Sequence, residues 1–373
     1  MIFIIKCNYK KIIYFLLIIF LIAIISNFYL QRKVLRPVLD EETNAFLYSM
    51  VQEIFDIRND TILKEDLPQL ESLYNTNVRN GIWAYEHELK KAKYLHEWSE
   101  KQSIEFKSIV SNIIVRYANE KNDGYSINLM VNTEYQYNYL DEPEVLNSFR
   151  IGTYHTLDLM PYDEEWLITK EWYTDPFADS LNTDDLENPK ISEIINSQEA
   201  KDLKNLKQKR LDAIEYLDKY CGAATLPEYG YKYNTDYRDY NHLGGDCANF
   251  ASQMLYEAGG FTKGGTWNYA NGAGSRAWLN ADAFNNFMVY SGRGTRIARG
   301  SYAEVLKASY NLLPGDYIAY EKKGKVVHIS LVSGIDSKGY ILVNSHNTDR
   351  YRVPWDLGWS NKGIKFHLVR VHF

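Results

Sequence analysis

Cysteine is scarce in this chain: only Cys7, Cys221 and Cys247 occur in 373 residues. None is spaced as a CxxC pair, which excludes a zinc ribbon, and three thiols cannot build a disulfide framework. One Cys221–Cys247 bridge is formally open, and it would consume both thiols. No HExxH motif or clustered ligand set is present, so a zinc hydrolase lacks its ligands and no metal or other cofactor is called for. Basic runs are missing beyond the N-terminus, and the net charge is −6. Duplex nucleic acid needs a concentrated basic surface, so it is not an expected partner. Internal repeats and low-complexity tracts are absent as well. What remains is an ordinary globular composition, 45% hydrophobic and 24% charged, in a chain long enough for two domains. Tyrosine, at 31 residues, is too common for any one tyrosine to be given a role by its type alone.

Residues 12–30 carry no charge over 19 positions, enough for a helix to span a bilayer. Lys6, Lys10 and Lys11 precede them, and Arg32, Lys33 and Arg36 follow. A short basic head before the first apolar segment is how export signals begin, and no clear Ala-x-Ala site follows. Residues 1–37 are therefore expected to be a transmembrane signal-anchor. The membrane would be a partner through that helix, with the bulk of the chain outside the cell.

From residue 41 to 178 the period of the pattern changes. Leu47, Met50, Val51, Ile54 and Phe55 fall on one helical face, and residues 62–73 and 82–99 predict two more helices, the first interrupted by Pro68. Branched and aromatic residues then predict strands over 106–117, 125–137, 149–160 and 166–174, with Asn122-Asp123-Gly124 as a hairpin turn. Helices followed by a meandering sheet imply an α+β layer. This order, with the closing segment WLITKEWYTDPF, resembles the cystatin-like cone of the nuclear-transport-factor-like superfamily. Some members of that fold are enzymes, but no catalytic motif comes with the resemblance, so a binding or spacer role is expected here. Residues 179–199 read as a linker, and residues 200–220 predict a helix leading into a second domain, 200–373.

The second domain carries the chemistry. Gly244-Gly245-Asp246 reads as a turn with Asp246 at an N-cap. The small and apolar residues after Cys247 then fit a helix ended by Gly259-Gly260. Cys247 is thus expected in a first helical turn, where the positive end of the macrodipole lowers a thiol pKa and free N–H groups can hold an oxyanion. About eighty residues on, in a strand of branched residues, His328 is a candidate general base. Such a histidine is also often plain core. Pairing residue 335 with 340 puts His328 opposite Asn347; a one-residue bulge would bring His346 there instead, and Asn344 is near. Asn249 and Gln253 on the helix read as a support network or as ordinary packing. Tyr237 or Tyr240 could assist an oxyanion. Trp267, Tyr269 and Trp278 suit a substrate groove or a core. Cys221 reads as structural and Asp316 as a turn residue.

The ordered pieces DCANFASQMLYEAGG, Trp267, Ala277-Trp278, LPGDYIAYE, HISLVSG and NSHNTDR resemble the family described as the Putative amidase domain of Gram-positive bacteria, over residues 210–367. That family looks like a branch of the papain-like, CHAP-type cell-wall hydrolases. The resemblance implies a papain-like α+β domain with Cys247 as nucleophile, His328 as base and His346 as the leading third residue. Asn347 between His346 and Thr348 departs from the family's His-Thr pattern, which keeps Asn344 and Asn347 as alternatives. The expected activity is that of a cysteine amidase or peptidase acting on peptide or peptidoglycan-like amides. The competing expectation is a catalytically inactive cell-envelope binding or scaffold protein. A separation of Cys247 and His328 far beyond about 4 Å would favour the latter.

Overall fold

The apolar stripe over residues 44–59 buries Leu47, Val51, Ile54 and Phe55 along helix α1, Glu41–Lys64. In the computed structural model, which describes residues 40–64, 67–181 and 190–373, this helix is followed by α2, Leu67–Glu71, and α3, Arg79–Gln102. Four long strands come next: β1, Ile104–Lys121; β2, Gly124–Tyr139; β3, Glu142–Tyr162; and β4, Glu165–Tyr173. The first hairpin turns on Asn122-Asp123, between the paired Lys121 and Gly124, with Asn122 at φ 53°. Helix and strand identities in this half follow the sequence periods.

Helix α4, Lys190–Asn196, precedes α5, Gln208–Tyr220. The helix expected over 200–220 therefore starts eight residues late. Residues 200–207 are largely exposed and have no buried stripe to dock. Then come α6, Cys247–Glu257; the two-residue strands β5, Tyr269–Ala270, and β6, Ala273–Gly274; α7, Arg276–Leu279; and α8, Ala281–Tyr290. The remaining elements are β7, Gly294–Gly300; α9, Tyr302–Ser309; β8, Tyr317–Lys322; β9, Lys325–Ile335; β10, Ile341–Ser345; β11, Asp349–Pro354; and β12, Ile364–Val371.

The expected fold is corrected in two respects, although its α+β character stands. The transmembrane helix expected over residues 12–30 lies outside the described residues, and among the described residues no helix is long and apolar enough to cross a membrane. In place of a cystatin-like cone followed by a separate papain-like sheet, ten strands form one antiparallel sheet. Its order is β1-β2-β3-β11-β10-β9-β8-β12-β7, with β4 also on β3. The cause is the length of β3. One edge of this 21-residue strand pairs with β11 at residues 150–152 and with β4 at residues 155–162. Residues 45–373 accordingly form one compact unit.

The sheet separates two cores. One holds Trp98, Tyr135 and Phe149 from the first half together with Tyr320, Trp355 and Phe366 from the second. The other lies under α5, α6 and α8 and holds Leu217, Cys247, Phe250, Trp278, Phe284 and Ile329. Successive residues of β8 alternate between them, Ile318 and Tyr320 in the first, Tyr317 and Ala319 in the second, as a pleated strand requires.

Candidate active site

Cys247 is the first residue of α6 and is 5% exposed. The loop before it needs glycine. Gly245 has φ 132°, and a Cβ there would lie 2.2 Å from Asn347 Nδ2. Asp246 stands at the N-cap position, but its side chain does not cap the helix. One carboxylate oxygen accepts from Tyr240 N at 3.0 Å and Asn249 Nδ2 at 2.8 Å, and the other faces His346 Nδ1 at 2.6 Å. Asp246 N donates to Asn347 Oδ1 at 2.5 Å. Cys221 and Cys247 are both free thiols, so the formally open disulfide is not made.

The helix start does not activate the thiol in this conformation. Burial pushes Cys247 up to about 11, against the pull of the Ile329 and Ala248 amides, and the neighbouring Asp246 charge adds to the rise. At neutral pH the thiolate is then roughly one part in ten thousand. Desolvation outweighs the hydrogen bonds that the neighbouring amides offer the thiolate.

His328 lies across the sheet from Cys247. It pairs with Tyr320, its ring stacks on Trp359 at 5.1 Å, and Tyr320 lies 5.4 Å away, in the core shared with the first half. Cys247 packs with Val326 and Ile329, the residues flanking Val327-His328, in the opposite core. The extra residue is Val327: Glu321 pairs with Val326 and Tyr320 with His328, leaving Val327 as a bulge. Val327 is 45% exposed, while buried His328 Nε2 has no hydrogen-bond partner. Burial, with Arg350 nearby, drives the imidazole down to about 3. No hydrogen bond joins Cys247 to either expected histidine.

His346 meets Asp246 rather than His328. Its ring lies flat on Phe250 at 3.8 Å, and its Nε2 faces the Tyr220 carbonyl at 2.7 Å. Burial opposes its charge, but the Asp246 carboxylate prevails and raises the imidazole above its ordinary value. Both ring nitrogens face acceptors, an arrangement suited to a doubly protonated ring. Asn344 is fully buried, accepts from Ser333 Oγ at 2.7 Å and Arg352 N at 2.7 Å, and donates to Asp218 at 3.1 Å. Asn347, at φ 64°, is the expected third-partner alternative that borders the Cys247 cleft.

Asn249 joins a support network, donating to Asp246 and accepting from Trp278 Nε1 at 2.8 Å. Tyr237 donates to Glu257 near the far end of α6 and packs beside Trp278, away from an oxyanion position at the helix start. Tyr240 receives Gly274 N at its hydroxyl. Trp267 and Trp278 are wholly buried and belong to the core rather than a groove. Gln253 accepts from Tyr216, and Asp316 anchors Arg210 at 2.9 Å and Arg370 at 2.7 Å.

Cys247 opens on a cleft of about 350 Å³ bordered by Gly245, Asn347, Val327, Arg276 and Lys325. Sequence reading missed Arg276 and Lys325 because nothing in their local pattern ties them to a cysteine tens of residues away. It also missed a buried ionic cluster in the first half. Arg58 forks onto Glu171 and donates to Tyr74 at 2.7 Å, while His155 faces Glu171 at 2.7 Å. Burial opposes its ionisation, but the Arg58 charge holds Glu171 well below the usual carboxylate range. The adjoining cavity, about 30 Å³, has room for water and little more. Among the described residues no group of acids, histidines and cysteines could hold a metal ion.

Residues 207–369 match the family model described as the Putative amidase domain. That supports an amide hydrolase in the second half of the chain. No curated protein and no solved structure matches the chain.

Proposed function

We propose that the second half of this chain is an amide hydrolase whose nucleophile is the Cys247 thiol. The observation that carries the reading is a free thiol on the first turn of a buried helix, opening on a cleft. The sulfur attacks the amide carbonyl and an S–C bond forms. The oxyanion is held by helix-start N–H groups and the Asn347 amide. The C–N bond breaks as the amine takes the thiol's proton through a base, and water then hydrolyses the thioester. Peptide amides of the cell wall are one substrate pool that fits.

The base in this reading is His328, which must first turn to the Cys247 side. Moving the bulge by one residue does this. Val327 would face Tyr320, His328 would become the extra residue, and the flanking pairs Glu321–Val326 and Ala319–Ile329 would be kept. The exchange gives up the His328 stack on Trp359, which holds the resting arrangement, and has two gains to set against it. It buries a 45% exposed valine and frees a buried nitrogen that has no partner, a defect that costs about 1–3 kcal/mol. The conformation described here is then a resting one, with the thiol protonated and the imidazole neutral.

A second reading, a non-catalytic binding module, is favoured by one observation, the placement of His328 on the far face of the sheet. Hydrolysis assays on peptide amides and purified cell walls separate the two. We expect wild type to be active and Cys247→Ala inactive. The exchange Val327→His with His328→Val should be active, because it puts imidazole at the cleft without moving the bulge. Full activity in Cys247→Ala would sink the nucleophile. An inactive exchange variant in an active wild type would sink the moving bulge, and a wild type inert on every amide would leave the binding module.

A further inference from the structure

The cleft beside Cys247 carries two cations that make no ion pair among the described residues. Arg276, on α7, and Lys325, at the start of β9, both border it and are exposed. Among the described residues neither side chain enters an ion pair or hydrogen bond. Among the described residues other exposed cations, such as Lys307 and Lys323, are likewise unpaired; Arg276 and Lys325 are set apart by bordering the cleft that holds Cys247. Asp282 also borders the cleft, and the neutral donors it accepts from leave its charge in place. Asp282 accepts from Val326 N at 3.1 Å through one oxygen and from Asn286 at 3.3 Å through the other. Asp246 is buried against His346. On a chain of net charge −6, the lining of this cleft carries two cations against one carboxylate.

We infer that the cleft takes an anionic amide, one that carries a carboxylate close to the scissile carbonyl. The inference rests on the reading of Cys247 as nucleophile. Two cations from different elements can hold one carboxylate between them, Arg276 through its planar fork and Lys325 as a point charge. That fixes the substrate beside its scissile amide while the sulfur attacks, from the acyl side for a side-chain carboxylate and from the amine side for a chain terminus. A side-chain carboxylate and a free chain terminus present the same chemistry, and matched substrates tell them apart.

The test measures kcat/KM of the full chain on two pairs. One is an anilide of glutamate with a free side-chain carboxylate against its glutamine isostere. The other is a dipeptide acid against its terminal amide. We expect the acid member of one pair to be favoured about tenfold, the scale of two partly exposed ion pairs. The preference should shrink in Arg276→Gln with Lys325→Gln and in high salt, since surface pairs are screened. The favoured pair identifies the source of the carboxylate. Equal rates within both pairs, with Cys247→Ala inactive, would overturn this inference and leave the nucleophile standing. No hydrolysis of any member would overturn the nucleophile reading, and this inference with it.

Discussion

An imidazole wedged between Trp359 and Tyr320 with its Nε2 unpartnered stays neutral well into acid, and burial is the main reason. The unfolded chain protonates that ring near pH ~6.5, whereas the folded one resists to about 3. Between those values the unfolded state binds the extra proton, so stability falls as the pH is lowered. The His328 share of that loss between about pH 7.5 and about pH 5 is about 2 kcal/mol. His328→Phe keeps a ring on Trp359 and removes the titration. Urea midpoints at the two pH values should fall further in wild type than in the variant, and an identical fall would place His328 in water rather than in the core.

At the scale of elements, the strands and helices were legible wherever one period ran long enough. The stripe of α1, the Asn122-Asp123 turn and the glycine-ended α6 are all local signals. The pairing of β3 with β11 was not, because its partners lie about two hundred residues apart and nothing in Arg150-Ile151-Gly152 or Asp349-Arg350-Tyr351 names the other. The bulge at Val327 was equally hidden. Val-Val-His-Ile reads as even alternation, and the extra residue is fixed by Tyr320 and Glu321 on the neighbouring strand. A parity error of one residue decides which face His328 takes. Gly152 shows how closely these elements meet. A Cβ there would stand 2.5 Å from the Ala223 carbonyl carbon, over a turn whose carbonyls at Ala223 and Thr225 bind Asn132 at 2.6 and 3.1 Å. Backbone cannot yield as a side-chain tip can, so Gly152→Ala should destabilise the protein by about 1–3 kcal/mol in urea unfolding. A change within about 0.5 kcal/mol would mean the turn moves freely.

Over the whole molecule, the match to residues 207–369 suggests an excisable domain, yet the buried polar groups suggest otherwise. Asp356 is fully buried and receives Trp98 Nε1 at 3.1 Å, Lys101 Nζ at 2.7 Å and Gln102 Nε2 at 3.2 Å, all from α3. Asp336 receives the hydroxyls of Tyr137 at 2.9 Å and Tyr139 at 2.7 Å from β2. Arg350, also buried, donates to Pro176 O at 2.7 Å. Cutting the chain at residue 200 strips these partners, bares the β11 edge and opens the core around Trp355 and Phe366. Each orphaned buried polar group costs about 1–3 kcal/mol, more when charged, against a total stability of about 5–15 kcal/mol for an ordinary domain. An isolated fragment of residues 200–373 should therefore be insoluble, or soluble without a cooperative unfolding transition. Co-expression with residues 40–199 should restore both properties, because the missing donors and the β3 edge return together. A lone fragment with dispersed amide resonances and a sharp urea transition would show instead that the sheet's second half stands by itself, and that the first half only lies against it.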